Sequence, residues 1–205
     1  MVYNEIRKEV YAMTKARKAE ITRLIEQGDW LPVAGSRKNV KEHDYYPIVA
    51  DLLDLDEVQE LKDFKHHIVT NRFQHSLNVS YYNYRLCRLL HLDAASAARA
   101  GLLHDLYHYD TKKYTSGRHG LRHSAYHPMV ALERAESIAP INERERDMIV
   151  KHMWPVTPSR PKYAETYVLT FVDKYCAVIE FLLPQPQRLR NWVKKRREKR
   201  HSKVH

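Results

Sequence analysis

Residues 73–108 read FQHSLNVSYYNYRLCRLLHLDAASAARAGLLHDLYH. His75, Val79, Tyr82, Leu86 and Leu90 recur at intervals of three and four, which places them on one face of a helix predicted over 73–91. Thr70 or Asn71 can cap its start. Asp93 then caps a second helix predicted over 94–108, whose AASAARAG run is small-sided enough for a neighbouring helix to approach closely. No part of the stretch alternates apolar and polar residues as a half-buried strand would.

The same period extends both ways. Upstream, Ile6, Val10, Met13, Ile21, Leu24 and Ile25 predict a helix over 4–27 that stops at Gly28. A loop over 29–46 carries Pro32, Gly35 and Ser36, Pro47 opens a helix to about Leu53, and Asp54 or Asp56 caps another to about Lys65. Downstream, residues 109–125 read as a polar loop with Gly117 and Gly120, followed by helices over 127–138 and 142–153 on either side of Pro140. Pro155, Pro158 and Pro161 make 155–162 irregular, and a last core helix over 163–183 ends before Pro184. The expected fold is all-α, a compact multi-helix bundle. Its expected parts are an N-terminal helix and loop packing on the core (1–46), a main domain (47–184) and a basic C-terminal tail (185–205).

The 205 residues include 43% hydrophobic and 29% charged side chains, a composition that excludes disorder for most of the chain. Cys87 and Cys176 are too few and too far apart for a disulfide framework or a CxxC clip, which suits a reduced, cytoplasmic setting. No apolar run reaches membrane-spanning length, and the start, MVYNEIRKEVY, lacks an apolar signal core. The net charge of +10 is local. Residues 188–205 hold nine Lys/Arg against one acid, Glu198, a charge of +8 that leaves +2 for the other 187 residues. The segment reads as a solvated tail or helix end, or as a contact for nucleic acid or another polyanion, and the nearly neutral body as neither.

Seven of the 13 histidines fall between positions 75 and 127. His75 sits near the start of a helix on its apolar face, and His104 and Asp105 adjoin near the end of another. Asp173 interrupts the apolar run VLTFVDKYCAVIEFLL. A carboxylate in a buried helical stripe costs several kcal/mol unless it is paired or bound to a metal. Neighbouring residues in a helix diverge by about 100°, yet both members of the doublet can meet an ion where several helices cross. His75, His104, Asp105 and Asp173 together are thus candidate ligands. A mixed His/Asp set suits Mn, Fe, Co, Ni or Zn better than Ca.

This order, with FQHSLNVS, GLLHDLYHYD and FVDKY as its local contexts, resembles the HD superfamily of metal-dependent phosphohydrolases over about residues 47–183. The resemblance implies an all-α domain, a divalent transition metal (Mg is a further candidate) and hydrolysis of a phosphoester by a water that the metal activates. Some members carry two more histidines that hold a second metal. The matching positions are His127, in HPMVALERA, and His152, in IVKHMWP, with His119 and His123 as rivals for the first and Asp105 as the bridge. Pro128, placed at the first turn of the predicted helix, favours His127. The remaining phosphate charge calls for cations. Arg72, one turn before His75, and Lys174, beside the last Asp, are candidates, and His108 stands where the family often has Lys in HDxxK. Lys112, Lys113 and Arg118 are further loop candidates, and Tyr107, Tyr109, Tyr114 and Trp154 could stack on a ring. No GYP motif follows the doublet, so cyclic-dinucleotide cleavage is not expected.

The expected activity is a metal-dependent phosphohydrolase, a phosphomonoesterase or phosphodiesterase acting on a nucleotide or related small molecule. Two other readings remain at this point. One is a basic-tailed helical protein that binds nucleic acid and keeps a vestigial metal site. The other is a redox-active diiron protein of the same superfamily.

Overall fold

The computed structural model describes residues 31, 33, 39–66, 70–115 and 120–182. The helix expected over 4–27, the tail, Arg118 and His119 lie outside the described residues. Among these residues seven α-helices follow one another: α1 Tyr46–Leu53, α2 Asp56–Gln59, α3 Arg72–Leu89, α4 Ala94–Leu103, α5 His123–Ile138, α6 Glu143–Lys151 and α7 Ala164–Leu182. Short 3-10 turns cover Val40–Glu42, Glu60–Asp63 and Thr111–Lys113. Among the described residues the chain is all-α apart from one ladder, in which β1 (Lys65–His66) pairs antiparallel with β2 (Thr70–Asn71) just before α3. The helix expected to reach Lys65 ends at Gln59, and the 3-10 turn Glu60–Asp63 and the ladder follow it. No helix among the described residues is long and apolar enough to cross a membrane.

The α3–α4 pair is the centre of the bundle. The Asn71 side chain accepts from the Gln74 N–H at 2.8 Å and caps α3, and the Asp93 carboxylate accepts from the Ser96 N–H at 3.0 Å and caps α4. The two helices touch through small residues. A Cβ built on Gly101 would lie 2.7 Å from the Ser80 Cα, so only glycine permits this approach. Polar groups inside the contact are satisfied. Asn83 Nδ2 donates to the Ala97 carbonyl at 2.8 Å, the Ser80 hydroxyl donates to the Ala98 carbonyl, and the Tyr45 hydroxyl meets the Ser80 oxygen at 2.7 Å. Leu77, Val79, Leu102, Leu103, Met148, Ile149 and Leu169 fill the core between α3, α4, α6 and α7, and Val33 and Val40 are buried in the same cluster.

Two further helix ends differ from expectation, and both matter for the site. α4 stops at Leu103 rather than at 108. The His104 ring takes the Gly101 carbonyl, and the Tyr107 N–H turns back to the Asp105 carbonyl. α5 starts at His123, so Pro128 lies inside the helix rather than in its first turn. The start of α7 is held from α6. Asp147 accepts from the Lys162 N–H at 3.0 Å, the Tyr163 N–H at 3.3 Å and the Thr166 hydroxyl at 2.6 Å.

Candidate metal centre

Five helices send side chains to one place. His75 comes from the first turn of α3, His127 from α5 and Asp173 from the middle of α7. His104 and His152 are the C-cap residues of α4 and α6, and Asp105 follows directly after the first of them. The last carbonyls of a helix have no N–H of their own to accept. His104 Nδ1 donates to the Gly101 carbonyl and His152 Nδ1 to the Ile149 carbonyl, each at 2.8 Å. His127 Nδ1 donates to the His123 carbonyl at 2.8 Å. A carbonyl only accepts, so the proton of each ring sits on Nδ1 and the Nε2 lone pair faces the common centre. The C-termini of α4 and α6, where the helix dipoles are negative, also point there.

The six residues form two groups, each with ligand atoms close enough to share an ion: His75, His104 and Asp173, and Asp105, His127 and His152. In the first, Asp173 Oδ1 lies 3.1 Å from His75 Nε2 and 3.8 Å from His104 Nε2. In the second, Asp105 Oδ1 lies 3.3 Å from His127 Nε2 and 3.8 Å from His152 Nε2. Asp105 Oδ2 is turned the other way, 3.9 Å from His104 Nε2. One carboxylate therefore faces both groups, and the rings of His104 and His152 meet edge to face at 5.0 Å across them.

This donor set fits cations. His104 Nε2 is buried and has no hydrogen-bond partner. His127 Nε2 and His152 Nε2 stand 2.9 Å apart with both Nδ1 protons committed elsewhere, so two lone pairs face each other and require a positive charge. Burial, together with the neighbouring His127 and His104, lowers the His152 pKa to about 3 and keeps that ring neutral. Burial also opposes charge on His75, but the hydrogen bonds its ring donates to Asp173 and Glu180 outweigh it and raise its pKa. Burial would raise the Asp173 pKa, yet His104 and His75 hold it well below the usual carboxylate range. In the first group a proton on His75 does what a metal ion would do, and metal binding would displace it.

A cleft of about 830 Å³ opens onto Asp105, His127, His152 and Asp173. Arg72, Tyr107, Asp110, Thr111 and His123 contribute further to its wall. Arg72 therefore reaches the cleft, though its guanidinium is engaged. It donates to the Tyr107 and Tyr109 carbonyls and stacks on the Phe64 and Tyr107 rings. His108 does not reach the cleft. Its Nε2 donates to the Glu57 carbonyl at 2.7 Å on the α2 side. Lys174 is on the exposed side of α7, where Nζ donates to the Thr170 carbonyl at 3.3 Å. Of the rivals for the His127 place, His123 stacks on His127 with ring centres 4.7 Å apart.

Glu180 is the residue that sequence reasoning missed. It is 1% exposed and accepts from His75 Nδ1 at 3.1 Å, Asn78 Nδ2 at 2.7 Å and the Thr70 hydroxyl at 3.0 Å. A signal existed: Glu180 lies seven residues after Asp173 on the same apolar helix, where a carboxylate needs partners for the same reason.

The family model of the HD domain matches residues 72–177, a span that contains all six clustered residues. No curated protein and no solved structure gives a significant match to the chain.

Proposed function

This chain belongs to the HD domain family, and from that premise we propose that it is a metal-dependent phosphohydrolase that cleaves a phosphoester of a nucleotide or related small molecule. The observation that carries the reading is the pair of adjacent three-residue groups, with Asp105 of one facing the other, at the cleft wall. Four imidazoles and two carboxylates suit Fe, Mn, Co, Ni or Zn. Two such cations would supply Lewis acidity toward the phosphoryl oxygens and a water acidic enough to attack at neutral pH.

The rest of the chemistry falls to the chain. Asp105 turns one oxygen to each group and so fixes the spacing between them. The three backbone-bonded histidines keep their Nε2 lone pairs aimed without rotamer freedom. Arg72 places an immovable positive charge at the cleft wall, which favours an anionic substrate. Tyr107 and His123 give the cleft an aromatic side against which a ring can lie. The basic segment 188–205 would add a contact for polyanions.

The test is hydrolysis of a broad phosphoester panel by protein reconstituted separately with Mn, Fe, Co and Ni. Activity with at least one metal is expected, and His104→Ala and Asp105→Ala should abolish it while helical content persists. Loaded protein that cleaves nothing on the panel would overturn the reading.

A further inference from the structure

We propose that the two cation positions are unequal. The group of His75, His104 and Asp173, backed by Glu180, binds its divalent cation first and retains it. The group of Asp105, His127 and His152 binds more weakly and exchanges its cation through the cleft. This rests on the two-cation reading above and adds a positioning residue that lies beyond the matched span 72–177.

Three observations carry it. The first is the acceptor behind each ring. His75 donates its Nδ1 proton to a carboxylate, whereas His104, His127 and His152 donate theirs to neutral backbone carbonyls. A carboxylate behind an imidazole raises its basicity as a ligand and fixes its orientation. The second is charge. Asp173 and Glu180 together can neutralise a dication in the first group. The second group has Asp105 alone, and that carboxylate is shared. The third is access. All three residues of the second group line the cleft, whereas in the first group only Asp173 does, and His75 and His104 are buried behind it. Glu180 is itself anchored by Asn78 and Thr70, so its carboxylate cannot swing away from the His75 ring.

The experiment titrates metal-free full-length protein with Co(II), following its absorption bands and the heat of binding. Two classes of site separated by at least about tenfold are expected. In a His127→Ala background, where only the strong class remains, Glu180→Gln should weaken Co(II) binding by about 10–100-fold. In a His75→Ala background, where only the weak class remains, Glu180→Gln should change nothing. A role for Glu180 in folding alone would weaken both backgrounds alike and overturn the proposal. Thr70→Val, which keeps the carboxylate and removes one of its donors, should weaken the strong class alone by a smaller factor, and covers the case in which the glutamine variant does not fold. A single class of two equal sites would overturn the inequality while leaving the proposed function standing. Failure of the wild type to bind Co(II) would overturn both.

Discussion

Arg72 holds its charge in the protein interior, against two backbone carbonyls and two aromatic faces. A planar guanidinium can donate to both carbonyls while it stacks on the rings, and an ammonium cannot. Arg72→Lys should therefore lower stability by about 1–3 kcal/mol in urea unfolding. It should also reduce kcat, because the freed Tyr107 segment directly follows Asp105. Unchanged stability would show that the clamp is incidental. At this scale the sequence was partly legible. The four ligands of the H…HD…D order could be read because each sits in or against an apolar helical stripe. The directions of Arg72 and His108 could not, because their partners are backbone carbonyls of segments without a periodic pattern. Lys174 was placed beside Asp173 in sequence, but helix geometry carries it about 100° away onto the exposed side.

Helix ends build the centre. α4 and α6 each finish on a histidine that completes its own last turn and turns the other nitrogen inward. The position of that ending on α4 depends on how closely α4 approaches α3, and Gly101 sets the distance. Gly101→Ala should cost about 1–3 kcal/mol through overpacking against the Ser80 backbone and lower the affinity for metal in the same protein. Thermal unfolding and a metal titration would show the two losses together; a stable variant with normal metal binding would separate α3–α4 packing from the site. The AASAARAG run makes this close contact legible in the sequence. The end of α4 was not legible, because a histidine capping a carbonyl looks in sequence like one more helical residue. The start of α5 was hidden for a similar reason: Pro128 fits a first turn well, and it is here tolerated further inside.

At the scale of the whole molecule, the bundle surrounds a point where imidazole lone pairs, two carboxylates and two helix C-termini converge. Such a concentration of electron pairs in a buried place is stable only with positive charge among them. The H…HD…D spacing made the convergence foreseeable, whereas the division into two groups depends on which way each Asp105 oxygen turns, which no spacing encodes. The most direct test is an anomalous difference map from crystals grown with Mn(II), recorded at the manganese absorption edge. Two peaks are expected, one inside each three-residue group, on either side of the Asp105 carboxylate. A map without a peak between these side chains would contradict the claim that they gather to hold cations.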